Sequence, residues 1–270
     1  MTIFPIAYSV AMSLNEVAVS ANGFRLLGMT GDNYAVVLGS DRWRYALVFT
    51  VAYTVVTVIV EMILGTVIAL VLERLEAGRG WMMALLLMPW AMITVISAQL
   101  WAYVYNGVYG VLDALVTPFL GEVNFLGTPA TAIASMAVAD IWKTTPFVAV
   151  IVLAGLVMLP GDIVEAARVD GANPWTTFWR IRLPLLRQTL AIALLFRVLQ
   201  AFGIFDLPFV LTGGGPGTST ESLALLGYRV MFQDLDFGLG AAVATTTTVL
   251  VLLGCLIFLR AFRAQVGEGD

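Results

Sequence analysis

Between Arg44 and Glu73 the chain carries a single charge, Glu61. An apolar run of this length exceeds the roughly 20 residues a helix needs to cross a bilayer. Lipid offers no partner to backbone N–H and C=O groups, so such a run must bond to itself as a helix. Further runs of the same character occupy residues 81–105, 130–158, 188–211 and 238–259. The chain of 270 residues is 60% hydrophobic and 12% charged, whereas soluble domains hold about 45–50% apolar and 25% charged residues. These features predict an all-α, polytopic membrane protein forming one transmembrane domain over residues 1–270, with about six transmembrane helices. Residues 1–14 are apolar but too short to span, and they lack a basic leader and a cleavage site. They read as the outer half of a first helix whose inner half lies upstream.

The helix predicted over 45–72 has a second pattern. Thr50, Thr54, Thr57, Glu61 and Gly65 recur at helical spacing, giving one polar and small face on a Val-rich cylinder. Pro89 predicts a kink in the run 81–105. Residues 15–44 read as a polar, Gly-containing loop. The sequence holds one cysteine, Cys255, and no histidine. That excludes an internal disulfide framework, cysteine metal clusters, imidazole zinc sites and Ser-His-Asp chemistry.

Residues 159–186 separate two apolar runs, yet they are not written as a slack loop. Asp162 with Glu165 three positions on has the form of a capping box. Gly171 is placed to end the helix that follows, in the left-handed conformation. Asn173 then caps a second helix, with Pro174 at its first position. Trp175, Phe178, Trp179 and Arg182 fall on one face of it, and Leu183-Pro184 is expected to stop it. The result is helix, Gly hinge, helix: a shape for docking into another protein, although an amphipathic connector lying on the membrane has the same capping logic.

Sidedness follows from Lys and Arg placement. With 159–186 inside, Arg74, Arg79, Arg168, Arg180, Arg182, Arg187, Arg260 and Arg263 are inside, while Arg25, Arg42, Arg44 and Arg229 are outside. Glu61, Asp140, Lys143, Arg197 and Asp206 fall within the apolar runs, where ionisable groups are costly and face the bundle interior or a wet path. At about 1.5 Å per residue, Glu61 and Arg197 come to similar depth, and Asp140, Lys143 and Asp206 lie in the outer half. Two readings stay open. The charges pair between helices, or they line a polar path with Trp142, Gln200 and Phe202, the aromatic and hydrogen-bonding mixture that sugars need. The run Gly213-Gly214-Gly215-Pro216-Gly217 lacks the Gly-Lys-Ser/Thr of a nucleotide loop and reads as an outer turn or docking loop.

Glu165-Ala166-Ala167, Gly171, Ile181, Leu183 and Pro184 stand at the spacing of the EAA loop of ABC-importer permeases, which the chain resembles at all seven positions. The segment 211–232, LTGGGPGTSTESLALLGYRVMF, is similar to the outer loop of carbohydrate-importer permeases. DIWKTTPF (140–147) and LLFRVLQAFGIFD (194–206) resemble maltose/trehalose-type members, among them the actinobacterial trehalose importers. The likeness runs from about Pro5 to Arg260.

This resemblance implies a permease subunit that moves a sugar into the cell by alternating access, in the bacterial plasma membrane. It implies that ATP and magnesium bind a partner ATPase dimer rather than this chain, whose groove receives the seven motif residues. A second homologous permease and an extracellular substrate-binding (lipo)protein complete the expected assembly; no nucleic acid partner is expected. Glycerol-phosphate importers share the pattern. A secondary transporter using Glu61, Asp140 and Asp206 as ion carriers is the alternative from another class, disfavoured by the 159–186 stretch and the lack of a visible inverted repeat. A membrane enzyme lacks a catalytic constellation.

Overall fold

The computed structural model describes every residue except 1–2, 21–22, 76, 122 and 268–270, and the side chains of 20, 120 and 261–267 are outside the description as well. The side chain of Arg263, counted above as an inside charge, is therefore outside the described residues. The chain divides into two compact units, Met1–Thr54 with Ala98–Ala137 and Phe202–Asp270, and Val55–Ser97 with Val138–Ala201.

In chain order, α1 (Ile3–Ser13) leads into a hairpin of β1 (Asn15–Ser20) and β2 (Gly23–Met29), then α2 (Asp32–Gly39) and α3 (Asp41–Glu73). There follow α4 (Arg79–Ala91), α5 (Thr94–Val104), α6 (Val111–Leu120) and α7 (Pro129–Val157). The polar stretch holds α8 (Gly161–Val169), α9 (Pro174–Thr177), a wide π turn at Phe178–Arg182 and α10 (Leu183–Leu185). It runs into α11 (Arg187–Phe202), and the chain closes with α12 (Leu223–Phe232) and α13 (Phe237–Gly267).

Among the described residues, three helices, α3, α7 and residues 237–260 of α13, are long and apolar enough to cross a membrane. Counting each bent pair, Arg79–Ala91 with Thr94–Val104 and Pro174–Leu185 with Arg187–Phe202, as one span brings the number to five. α3, α7, α13 and the α4–α5 pair fall on four of the sequence's apolar runs. The Pro174–Phe202 pair overlaps the fifth, 188–211, only in α11, because its first arm belongs to the polar stretch, and α1 is a shorter apolar helix.

Several boundaries differ from expectation. Residues 15–44 contain an antiparallel hairpin and α2 where a loop was expected; the alternation in Asn15–Ser20 is short enough to disappear among polar neighbours. The run 81–105 is not kinked at Pro89 but broken at Met92–Ile93, where α4 and α5 meet at 91°. Met92 turns to extended backbone, and its N–H closes α4 on the Pro89 carbonyl. The run 188–211 is interrupted after Phe202 at Gly203, and helical backbone resumes at Asp206–Leu207 and widens to a π turn at Pro208–Thr212.

In the first unit, Val37, Trp43, Ala46, Leu223, Leu226, Val230, Ala242 and Val243 form the buried core. Thr50 stitches it: its Oγ1 donates to the Ala46 carbonyl (2.7 Å) and accepts from the Leu223 N–H (3.0 Å). Beside the core, the buried Glu221 carboxylate receives Arg42 through Nε and Nη2, both at 2.7 Å, and Arg229 Nη1 at 2.5 Å. Arg229 also donates to the Gly213 carbonyl. Two arginines on one buried acid thus tie the Gly-rich loop to the start of α3 and the last turn of α12.

In the second unit, Ala69, Leu72, Val148, Val152, Leu153, Leu156 and Leu186 form the core. Small residues set the spacing. A Cβ on Gly65 would lie 2.6 Å from Val148 Cγ1, and one on Gly155 would lie 2.7 Å from Thr189 Oγ1. The polar face of α3 is its packing face: Thr50, Thr54, Thr57 and Glu61 are buried, while Val51, Val55, Val56, Ile59, Ile63 and Val67 are exposed. Polar groups inward and β-branched groups outward is the pattern lipid imposes, since helices gain from hydrogen bonds and close approach rather than from apolar burial.

Candidate functional site

The stretch 159–186 folds as two arms around Gly171. α8 begins two residues earlier than the sequence suggested, at Gly161 with Pro160 rather than Asp162 as its cap residue, and no side-chain cap bond forms. Asp162 therefore stands in the first helical turn, and the expected capping box is not made. The far end of α8 is as expected. Gly171 has φ +80°; its N–H bonds the Arg168 carbonyl at 3.1 Å and the Ala172 N–H bonds the Ala167 carbonyl at 2.9 Å. This paired closure is the Schellman arrangement, which requires a residue in the left-handed region.

Asn173 caps the second arm, its Oδ1 accepting from the Thr176 N–H at 2.8 Å, with Pro174 at the first position. Trp175, Phe178 and Trp179 pack ring against ring, with centroids 5.5 and 5.3 Å apart. Leu183-Pro184 does not stop the helix. The Leu183 N–H reaches back five residues to the Phe178 carbonyl, and the widened turn lets Pro184 enter the last turn of α10. The stop falls at Leu186.

On α8 only Ala167 is buried; Glu165 and Ala166 are exposed, and the apolar Ile163 and Val169 face outward with them, Val169 at 87%. Ile181 and Leu183 are half-buried and Pro184 is exposed. The first arm thus presents a small, partly apolar face with one carboxylate.

Three ionisable residues of the second unit, Glu61, Asp140 and Arg197, form one buried network. Arg197 places Nε 2.6 Å from Glu61 Oε2 and Nη2 2.9 Å from Glu61 Oε1, a planar two-point pair. Its Nη1 donates to Gln200 Oε1 at 2.9 Å, and Asp140 Oδ2 stands 3.9 Å from Nη2. Thr144 Oγ1 lies 2.7 Å from both Glu61 Oε1 and the Asp140 carbonyl, with its single hydroxyl proton shared between the two acceptors. Glu61 and Arg197 are 0% and 2% exposed, so both charges are fully desolvated and each is satisfied by the other. Sequence reasoning brought them to one depth but missed Thr144, which sits one turn beyond Asp140 on the same side of α7.

Lys143 Nζ lies 3.4 Å from the Trp90 carbonyl, at the broken end of α4 where helical carbonyls lack partners. Trp142 points elsewhere: with Pro89, Pro146, Leu64 and Leu85 it lines an apolar cleft of about 490 Å³. Gln200 is partly open to solvent. In the first unit, Phe202 packs against the core and Asp206 is exposed beyond the end of α11. A second concave surface, of about 410 Å³, is lined there by Phe205, Tyr228, Met231 and Phe232 with Gly227 and Thr247. Tyr228 is within 5.2 Å of both the Phe205 and Phe232 rings, centroid to centroid. The sequence reading passed over these aromatics because no spacing rule joins residues 205 and 228.

Residues 35–266 match the family described as "Binding-protein-dependent transport system inner membrane component". The trehalose/maltose transport system permease protein of Thermococcus litoralis is 42% identical over 233 residues, 86% of this chain and 78% of the relative. The trehalose transport system permease protein of Mycobacterium tuberculosis is 35% identical over 276 residues, 100% of this chain and 86% of the relative. In fold, the chain is similar to one from a bacterial ABC transporter involved in the import of the acidic polysaccharide alginate. The TM-score is 0.81 at 21% identity, over 97% of this chain and 90% of that one.

Proposed function

The chain belongs to the binding-protein-dependent transport system inner membrane component family, and from that premise we propose that it passes a disaccharide such as trehalose or maltose into the cell. It is a multi-pass permease subunit of an ABC importer, in the inner membrane. ATP and magnesium bind a partner ATPase dimer, and hydrolysis occurs there. A second homologous permease and an extracellular binding protein complete the assembly.

The observation that carries the coupling assignment is the open face of α8, held at a fixed angle by the Gly171 closure. Glu165 meets a basic group in the ATPase groove, Ala166 and Ala167 allow close approach, and Gly171 sets the angle of the second arm. Ile181, Leu183 and Pro184 seat that arm on the permease body. ATP-driven closure of the ATPases moves the stretch 159–186, and the permeases pass from outward to inward access. Such a cycle needs contacts that differ between the two states, and the docked stretch supplies them.

The ring group at Phe205, Tyr228 and Phe232 supports a sugar-stacking surface, since sugar C–H faces lie well on aromatic rings. The experiment is reconstitution of the full assembly in liposomes with labelled trehalose, maltose or glycerol 3-phosphate. ATP-dependent uptake of a disaccharide is expected. Uptake driven by a proton or sodium gradient without ATP overturns the reading.

A further inference from the structure

The elbow between the coupling stretch and α11 is anchored twice on the last turn of α3. Arg182 Nη1 lies 2.5 Å from Glu73 Oε2, with the two side chains 16% and 22% exposed. Four residues on, Leu186 sits at the 71° bend into α11 and is buried in the cluster of Leu72, Leu156 and Leu153. Glu73 is oddly placed for a residue chosen by helix propensity, because a carboxylate at a helix C-terminus opposes the macrodipole. Arginines compensate it: Arg182 takes the carboxylate, while Arg79 takes the Leu72 and Glu73 carbonyls at 2.9 and 2.6 Å.

The same two segments meet again at Glu61–Arg197. α3 is therefore pinned to the chain 182–197 at two levels by ion pairs of one polarity, acid on α3 and arginine on the other strand. The coupling stretch is covalently joined to α7 before it and to α11 after it. α3 has no such link, and an apolar contact alone would let it slide.

We infer that Glu73 and Arg182 are a coupling latch: positioning residues that make α3 follow the coupling stretch when the ATPase pulls on it. This rests on the permease reading above. Neither residue touches the sugar or the ATPase; both act through the helix they join. Latched, α3 and α11 move as one body. Unlatched, the ATPase still docks at α8, but α3 is then held to this chain only at the deeper Glu61–Arg197 pair, and less of the stroke at the membrane surface reaches it.

The test uses the reconstituted complex and reads three quantities for each variant: ATPase retained on purification, ATP hydrolysis, and sugar taken up per ATP. Wild type must retain the ATPase and import sugar with ATP; failure at that point refutes the permease reading rather than the latch. Given a working wild type, Glu73→Gln and Arg182→Gln should keep the ATPase bound and hydrolysing while uptake per ATP falls about fivefold. The exchange Glu73→Arg with Arg182→Glu should recover most of that loss, and Arg182→Lys part of it. Wild-type uptake per ATP in both neutral variants overturns the latch. So does loss of the ATPase itself, or a swap no better than the singles, since a merely structural contact would show those results.

Discussion

Arg197 and Glu61 face each other through two parallel hydrogen bonds, 2.6 and 2.9 Å long, with both side chains shut off from solvent. The guanidinium has a second acid within range, Asp140 at 3.9 Å. One arginine thus stands between two carboxylates, and its removal differs from removal of either acid.

Arg197→Gln should destabilise the purified protein by roughly 3–5 kcal/mol, because it strands Glu61 next to Asp140 in a dry interior. Glu61→Gln should cost less, since Arg197 keeps Asp140 as an acceptor. The double variant should be milder than the sum of the singles by more than about 1 kcal/mol. Thermal unfolding in detergent measures all three; additive losses would contradict the contact.

Gly171 has room around it: a Cβ there would meet nothing within 4 Å. Only its φ of +80° resists substitution. Gly171→Asn should therefore be tolerated, because Asn adopts the left-handed region readily, whereas Gly171→Val should cost about 1–2 kcal/mol locally. The Val variant should remain in the membrane yet lose ATPase on purification. Equal behaviour of Asn and Val would show that φ is not what matters.

Glu165 lies on an exposed face, and no side-chain cap bond starts α8. Its charge is then free for a partner, and Glu165→Gln should weaken ATPase retention about tenfold or more, the range of one charged hydrogen bond. Glu165→Ala should behave like Gln, since Ala is the better helix former. Co-purification and uptake measure both. Wild-type behaviour of Gln with loss only in Ala would return Glu165 to a local role and shift attention to Ala166 and Gly171.

Gly65 permits α3 to touch α7 at Val148. Gly65→Ala should lower thermal stability by about 1–3 kcal/mol through overpacking, and Val148→Ala in the same chain should recover part of it by removing Cγ1. Unfolding of the single and double variants decides; no recovery would place the strain elsewhere.

Much of this was legible in the sequence, and for definite reasons. The inward face of α3 showed itself because Thr50, Thr54, Thr57, Glu61 and Gly65 repeat at helical spacing. Glu61 met Arg197 because helix rise converts position into depth. Gly171, Asn173 and Pro174 were readable because turn and cap chemistry is local. What failed depended on tertiary partners. The break at Met92–Ile93 has neither Gly nor Pro, and the freed Trp90 carbonyl takes the Lys143 ammonium of α7. The capping box at Asp162 lost to a helix that starts at Gly161, and Pro184 was absorbed by a π turn. Glu73 and Arg182 are 109 residues apart, and no periodicity joins them.

The central claim is that residues 159–186 dock a partner ATPase. It is tested most directly by placing a photoreactive phenylalanine analogue at Ala166, in membranes holding the whole importer. Irradiation should yield an adduct of this chain with the ATPase subunit, while the same analogue at the outward-facing Val67 of α3 should yield none. No ATPase adduct from position 166, in membranes that still import sugar with ATP, would contradict the account.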